Sequence, residues 1–427
     1  MIASVSKGEQ RSASICIPSS KSLSHRLLIA AALADGTSVL KGIVLNADVS
    51  ATIDCLRLLG AKILVAGDVV SVTGIRDFSA YDGSMVYCGE SGSTLRFLLP
   101  LFVQSGKICL FSGSGRLMER PMEVYEQIYS STGSFSLKKS VLRVEGPLSG
   151  GHYTLKGNVS SQFISGLAFL LPLLDGDSVI EILPPVESLS YIDLTIDVLR
   201  MVGICVQRQD HIITIRGNQK YAPIQGSVKG DDSQAAFFIV YSLLSKRTVH
   251  IDNMAHDSLQ GDHVILEIIE KCGGSYEETE SGYRILPGEL KAFEADLGDC
   301  PDLGPILFVL ASQCKGRSHF SHVQRLRIKE SDRIESMQEE FQKAGIMMET
   351  DEDDVWISGP QKPLEDITLE GHNDHRIVMA LSILGAICEK GMKISGAEAI
   401  HKSYPDFFTD LRKCGVTIET EQETKIC

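Results

Sequence analysis

SKSLSHRLLIAAAL, Ser20–Leu33, opens with small polar residues and a lysine and then runs apolar for about two helical turns. The same pattern returns five times: SGSTLRFLLPLF from Ser91, SSQFISGLAFLLPLL from Ser160, DDSQAAFFIVYSLL from Asp231, CPDLGPILFVLAS from Cys300 and NDHRIVMALSILGA from Asn373. Counted between these starts, the spacings are 71, 69, 71, 69 and 73 residues. Each opening is followed, 40 to 45 residues later, by a glycine at the end of a second, amphipathic helical stretch: Gly60, Gly133, Gly203, Gly273, Gly345 and Gly415. A glycine just past a helix end suits a left-handed cap. The runs after these glycines, such as KILVA, ICVQR and VTIET, read as strands. Six such matches in register fill the chain and predict an α/β protein of six repeated units, grouped three to a domain. The β-like run Ser14–Pro18 precedes the first opening. It is expected to pair beside the last repeats, which joins residues 1–18 to 230–427 in one domain and leaves 19–229 as the other.

The bulk numbers favour two or three soluble domains over one. The chain has 427 residues, 43% hydrophobic and 22% charged. No apolar run reaches the ~20 residues needed to span a bilayer, and the polar start, Met1–Arg11, lacks the apolar core of a secretory signal. Eleven cysteines stand singly, with no C-x-x-C pair. They suit a reducing compartment and a role as small core residues rather than a zinc site. The reading is cytoplasmic. A net charge of −14 argues against a nucleic-acid binder. An acidic protein that takes anionic substrates must gather its cations locally.

It does gather them, at the repeat openings and the loops that follow. A helix start bearing Ser, Asp or Asn is usually no more than a capped end. Its exposed N–H groups also make an anion site when cations are added. Lys21 and Arg26 open the first repeat, although the glycine spacing of a P-loop is missing. ESGSTLR, Glu90–Arg96, opens the second, and Gly92 permits close backbone approach to a ligand. The loop GSGRLMERPM, Gly113–Met122, adds Arg116 and Arg120. The third repeat offers the uncharged groups of Ser160, Ser161 and Gln162, then Ser188 and Tyr191. In the fifth, Asp302 stands at a helix start and RLRIKESDR, Arg325–Arg333, carries six charges in nine residues. Read blandly, that run is a solvated helix face. Read functionally, Lys329 and Arg333 hold anions and Glu330 gives a proton. The sixth opens with His375 and Arg376 where the helix dipole disfavours cations, and a local rule broken in this way points to function. Lys402 follows in HKSYPD.

The ordered set S-K-S-x-S-x-R, S-G-S-T-x-R, M-x-E-R-P, S-S-Q-F, R-x-R-x-K-E-S-D-R, N-D-H-R and K-S-Y-P-D-F spans nearly the whole chain and resembles the shikimate-pathway enolpyruvyl transferase family. The resemblance implies an inside-out α/β barrel of two similar domains, each built from three β-α-β-α-β-β units, with the active site in the interdomain cleft. It implies transfer of the enolpyruvyl group of phosphoenolpyruvate to the 5-hydroxyl of shikimate 3-phosphate, with release of phosphate and no metal or organic cofactor. Carried over motif by motif, Lys21, Gly92, Arg120, Gln162, Arg333, Arg376 and Lys402 resemble the phosphoenolpyruvate set. Lys21, Ser22, Arg26, Ser160, Ser161, Gln162, Ser188, Tyr191, Asp302, Arg325 and Lys329 resemble the shikimate 3-phosphate set. Asp302, Glu330 and Lys21 resemble the proton-transfer residues.

Three positions depart from the family pattern. Ser19 stands in a glycine's place, Glu90 where asparagine is usual, and Arg325 where many relatives carry asparagine. A carboxylate at 90 would repel phosphoenolpyruvate unless paired, whereas the retained Gly92 leaves room for a glyphosate-like inhibitor. Rival readings are the same transfer to UDP-N-acetylglucosamine, a non-catalytic sugar-phosphate binder, and an RNA-end-modifying enzyme. The first needs a cysteine in the Gly113–Pro121 loop, which holds none. Substrates are then small molecules, with neither nucleic acid nor membrane as partner. With no exposed apolar motif, a monomer is expected.

Overall fold

The computed structural model describes residues 1–422. They divide into two compact units. One, the inserted unit, is Ser19–Val228; the other, the split unit, joins Met1–Pro18 to the chain from Lys229 onward. Lys229, expected in the middle segment, falls in the split unit.

Six four-stranded sheets, three in each unit, carry the six repeats. The third repeat shows the plan. Strand His152–Lys156 leads to helix Ser161–Leu170, strand Ser178–Leu183, helix Leu189–Met201, and the paired strands Val206–Gln209 and Ile212–Ile215. The first two strands run parallel, as a helical crossover requires. The last strand lies antiparallel to the second, and the fifth-placed element closes the edge as a hairpin. This is the β-α-β-α-β-β unit, and the second and fifth repeats match it strand for strand.

The other three repeats borrow a strand from far along the chain. Gln225–Ser227 pairs parallel with Thr37–Lys41 and supplies the leading strand of the first repeat. Ala13–Cys16 pairs parallel with Val249–Asp252 and leads the fourth. The expectation that this strand lies beside the last repeats is therefore corrected. The strand that joins the sixth repeat is Ile2–Ser6, between Met392–Ser395 and Thr417–Glu421 and antiparallel to both. The polar start hid it: ASVS alternates buried and half-exposed residues, with only Ala3 and Val5 turned inward.

The first helix of each repeat begins where the polar opening predicts. Ser20, Ser91, Ser160, Asp231 and Asp374 each accept a hydrogen bond from a backbone N–H of the first turn. In the fifth repeat a 3-10 turn, Pro301–Leu303, replaces the side-chain cap. These helices are buried on nearly every side, so their length of apolar sequence is core and not a membrane span. No helix of the described residues is long and apolar enough to cross a membrane. Each unit has its own hydrophobic core. Of the six closing glycines, five take positive φ, from +71° at Gly345 to +111° at Gly60. Gly133 is extended instead, at −170°. There the chain passes directly into strand Ser134–Lys138, and a β-carbon would strike the Glu145 carbonyl.

Candidate functional site

In the split unit the site is built around Asp302 and Arg333. Asp332 caps helix Arg333–Lys343, and its carboxylate takes the N–H groups of Ile334 and Glu335. That cap fixes Arg333 as the first helical residue and points it inward, with only 1% of its side chain exposed. Its guanidinium meets three carboxylates: Nη1 donates to Asp302 Oδ1 at 2.8 Å, Nη2 to Glu330 Oε2 at 2.8 Å and Nε to Asp374 Oδ2 at 2.9 Å. Asp374 also takes the Ser331 hydroxyl at 3.1 Å and, as helix cap, the N–H of Arg376. Arg376 reaches back, with Nη2 to Asp302 Oδ2 at 2.9 Å and to Ser233 Oγ at 2.9 Å. Lys329 Nζ lies 3.3 Å from Asp302 Oδ1. Lys402 Nζ donates to the Asn373 carbonyl at 2.6 Å.

Three cations thus share one carboxylate. Burial pushes the Asp302 carboxyl up, but Arg376, Lys329 and Arg333 outweigh it and hold it well below the usual carboxylate range. Burial lowers the Lys329 ammonium to about 8, with Asp302 opposing the fall. For Arg333 burial acts downward too, yet Asp374, Glu330 and Asp302 raise it above its usual value. Asp374 is held down by Arg333 against the pull of burial. The unfavourable placing of Arg376 at a helix start is offset by Asp302 and by the Asp374 cap.

RLRIKESDR is not one helix, so the solvated-face reading fails. Gln324–Ile328 is a 3-10 turn, and the helix starts only at Arg333. Arg325 is buried in that turn. Arg327 turns away, with Nη2 on the Asp351 carbonyl at 2.8 Å and Nη1 3.6 Å from Asp332.

In the inserted unit, Lys21 Nζ pairs with Asp48 Oδ2 at 3.0 Å, both side chains being under a fifth exposed. Asn46 caps the helix Ala47–Leu58 that carries Asp48. Arg26 is buried; Nε donates to Thr195 Oγ1 at 2.8 Å, Nη1 to the Ser22 carbonyl at 2.8 Å and Nη2 to the Tyr191 carbonyl at 2.9 Å. Its guanidinium carbon also stands 5.0 Å from the centre of the Phe97 ring. Burial lowers it to about 10. Arg26 therefore locks Ser22 to the Leu189–Met201 helix, whose cap Ser188 sits at φ +56°. Such a conformation at a non-glycine residue is uncommon and persists where its surroundings enforce it.

Gly92, Arg96, Arg120 and Gln162 come together in the same unit. Arg96 Nη1 donates to Gln162 Oε1 at 2.7 Å, and Gln162 Nε2 to Ser93 Oγ at 2.9 Å. A β-carbon at Gly92 would lie 3.0 Å from Arg120 Nη1. Ser160 and Ser161 are buried at the start of the helix bearing Gln162. Arg116 stays out: it is half exposed and pairs with Glu119 at 3.7 Å. The Glu90 carboxylate lies against Gly115 of the glycine-rich loop. Ser19, buried, donates to the Val228 carbonyl at 3.3 Å, so the residue in the glycine's place ties the two ends of the inserted unit.

Sequence reading named Asp302, Glu330 and Gln162 but missed other partners that hold these cations. Asp374 lies inside a quoted motif but carries no assigned role, and Asp48, Thr195, Ser233 and Ser93 carry none either. Asp48 alone left a local signal, an acid in the first turn of a capped helix. Among the described residues one group, Glu339, Glu340 and His372, brings three metal-ligating atoms together. The Lys343 ammonium, 2.7 Å from Glu340 Oε1, competes there with any cation.

The EPSP synthase (3-phosphoshikimate 1-carboxyvinyltransferase) family model matches residues 5–423. The chain is 39% identical over 407 residues to a 3-phosphoshikimate 1-carboxyvinyltransferase of Clostridium kluyveri, covering 94% of this chain and 95% of that protein. It is 38% identical over 417 residues to the protein of that name from Clostridium novyi, covering 95% of each. In fold it resembles a solved EPSP synthase of Acinetobacter baumannii, with a TM-score of 0.81, 24% identity, and coverage of 98% of this chain and 100% of that one. With two capped clusters of cations on a six-repeat α/β frame and a family match from end to end, the chain belongs to the EPSP synthase family.

Proposed function

We propose that this chain transfers the enolpyruvyl group of phosphoenolpyruvate to the 5-hydroxyl of shikimate 3-phosphate and releases phosphate. The observation that carries the reading is Asp302 held among Arg333, Arg376 and Lys329, in a chain that matches the family over residues 5–423. Both substrates are polyanions, and such a cluster suits phosphate and carboxylate. In the proposed addition, the hydroxyl oxygen bonds to C2 of phosphoenolpyruvate while C3 gains a proton. Loss of phosphate and of a C3 proton from the tetrahedral intermediate then restores the double bond. Asp302 takes the hydroxyl proton and Glu330 supplies the C3 proton. Asp302 is ionised, as a base must be, but its cations make it a weak one. Anionic substrates drawing on Arg333, Arg376 and Lys329 would raise its basicity.

Phosphoenolpyruvate is assigned to Lys21, Gly92, Arg120, Gln162, Arg333, Arg376 and Lys402. Shikimate 3-phosphate is assigned to Lys21, Ser22, Arg26, Ser160, Ser161, Gln162, Ser188, Tyr191, Asp302, Arg325 and Lys329. Singly placed cysteines, most of them buried, suit a cytoplasmic enzyme, and we take it to act as a monomer. The test is phosphate release from phosphoenolpyruvate with shikimate 3-phosphate and, separately, with UDP-N-acetylglucosamine. Release with the first acceptor alone is expected. Release with the nucleotide sugar alone, or tight binding of shikimate 3-phosphate without release, overturns the proposal.

Gly92 provides a finer test. A methyl group there meets Arg120 Nη1 at 3.0 Å and both Arg96 Nη1 and Gln162 Oε1 at 3.4 Å. These are ends of flexible side chains, so Gly92→Ala is expected to fold with a stability within about 1 kcal/mol of the parent. Displacing the guanidinium should raise the KM for phosphoenolpyruvate by roughly tenfold, about 1.4 kcal/mol of binding. An unchanged KM removes Gly92 and Arg120 from the set.

A further inference from the structure

The turn Gly371–Asp374 delivers three features of the split-unit cluster: the Asn373 carbonyl that takes Lys402, the Asp374 carboxylate that takes Arg333, and the start of the helix bearing Arg376. It is closed by the Asp374 N–H on the Gly371 carbonyl at 2.8 Å. Its two central residues, His372 and Asn373, sit at φ +48° and +51°. Consecutive left-handed residues are the pattern of a type I′ turn, which neither histidine nor asparagine adopts as readily as glycine. Something must hold the turn in that shape.

Glu340 is placed to do so. It lies two turns along the helix that begins at Arg333, and its side chain is wholly buried. One oxygen, Oε2, accepts the Glu370 N–H at 2.9 Å. The other, Oε1, accepts from His372 Nε2 at 2.8 Å and from Lys343 Nζ at 2.7 Å. The helix therefore grips the turn at two points, Arg333 on Asp374 and Glu340 on His372.

We propose that His372 and Glu340 are positioning residues for the anion site, fixing the left-handed turn that sets Asp374, Arg376 and the Asn373 contact of Lys402. This rests on the proposed assignment of Arg333, Arg376 and Lys402 to phosphoenolpyruvate. The charged groups facing His372 are Glu340 and Glu339 from the helix and Glu370 from the strand, with Lys343 opposite on Glu340. The hydrogen bond to Glu340 raises the imidazole above its ordinary value. The grip is charge-assisted below that raised value and weakens as pH rises through it.

The test is steady-state kinetics at saturating shikimate 3-phosphate, across neutral and mildly alkaline pH, with thermal midpoints measured alongside. His372→Ala is expected to raise the KM for phosphoenolpyruvate about tenfold, the loss of one charge-assisted hydrogen bond, with kcat changed less. His372→Gln, whose amide can still donate to Glu340, should recover most of that KM. It should also lose the fall in kcat/KM that the parent shows as His372 deprotonates. Lys329, near 8, contributes the same limb to both enzymes, so their difference isolates His372. A His372→Ala enzyme with a lower midpoint but unchanged KM overturns the inference. If that variant does not fold, a His372→Gln enzyme with the parent's pH profile overturns it. Lys402→Met controls for the underlying assignment: a raised KM there with a silent His372→Ala overturns this inference alone, and an unchanged KM in both overturns the assignment.

Discussion

Arg333→Ala is expected to lose turnover by a factor of at least about a thousand, roughly 4 kcal/mol of transition-state stabilisation, and to lower stability by about 3–5 kcal/mol. The second figure follows from what the guanidinium leaves behind. Asp374 has no exposed side-chain surface and would keep the Ser331 hydroxyl, its own cap bond to the Arg376 N–H and the His375 ring 3.8 Å away, with no guanidinium. Asp302 and Glu330 lose a partner in the same step. The pH dependence gives the effect a sign. In the parent, Asp374 is depressed by Arg333, so it contributes stability above the unfolded carboxyl value and that contribution is lost as pH falls through its lowered value. Without Arg333, burial would dominate and raise Asp374. The variant should then gain stability on mild acidification where the parent does not. Denaturant midpoints near pH 7 and pH 5 measure this. A variant within about 1 kcal/mol of the parent at both values would show that Arg333 does not hold the three carboxylates together. Arg333→Lys keeps the charge but cannot reach three carboxylates at once, so it should recover part of the stability and little of the turnover.

For Asp302→Asn the expected loss is in kcat, by about a hundred- to ten-thousandfold, the usual worth of a positioned general base. The substitution has a second consequence through Lys329. Burial already brings that ammonium to about 8, and Asp302 is the strongest influence keeping it from falling further. Lys329 is lowered to about 8, so, on the proposed assignment, binding of the substrate phosphate is expected to weaken as pH rises through that value. With asparagine at 302 the same weakening should begin at lower pH. The KM for shikimate 3-phosphate, measured from about pH 6 to pH 9, reports the shift. Retention of kcat within about tenfold would remove Asp302 from the role of base. An unmoved alkaline limb would mean that Lys329 does not hold the phosphate.

Both predictions turn on pairs that are distant in the chain. Arg333 and Asp374 are 41 residues apart, Asp302 and Arg376 are 74 apart, and Lys21 and Asp48 are 27 apart. The cations of these pairs could be read in the sequence because Lys21 and Arg376 put a charge at the mouth of an apolar helix and Arg333 closes a run of six charges in nine residues. Arg116, from the glycine-rich loop, and Arg327, from the same charged run, are gathered with them and stand apart, so charge clustering over-selects. Of the carboxylates that hold the cations, Asp302 and Glu330 were legible from their motifs, whereas Asp374 and Asp48 were not. An aspartate at a helix start looks like a cap whether or not it also receives a guanidinium.

The sequence by itself determined the six repeats, the capping side chains of five of them and the placing of nearly every first helix. These depend on forces acting within a few residues: side-chain oxygens on first-turn N–H groups, apolar periodicity, and glycine past a helix end. Only the tertiary structure decided which strand completes which sheet. Ile2–Ser6 closes the sixth repeat, Ala13–Cys16 leads the fourth and Gln225–Ser227 leads the first. A strand's edge bonds equally well to any partner of matching register, and its own residues do not name that partner. The choice is made by the chain folding back over some 186 to 419 residues, whereas Arg333 gathers its three carboxylates from 3 to 41 residues away, a folding-back that no local pattern announces either.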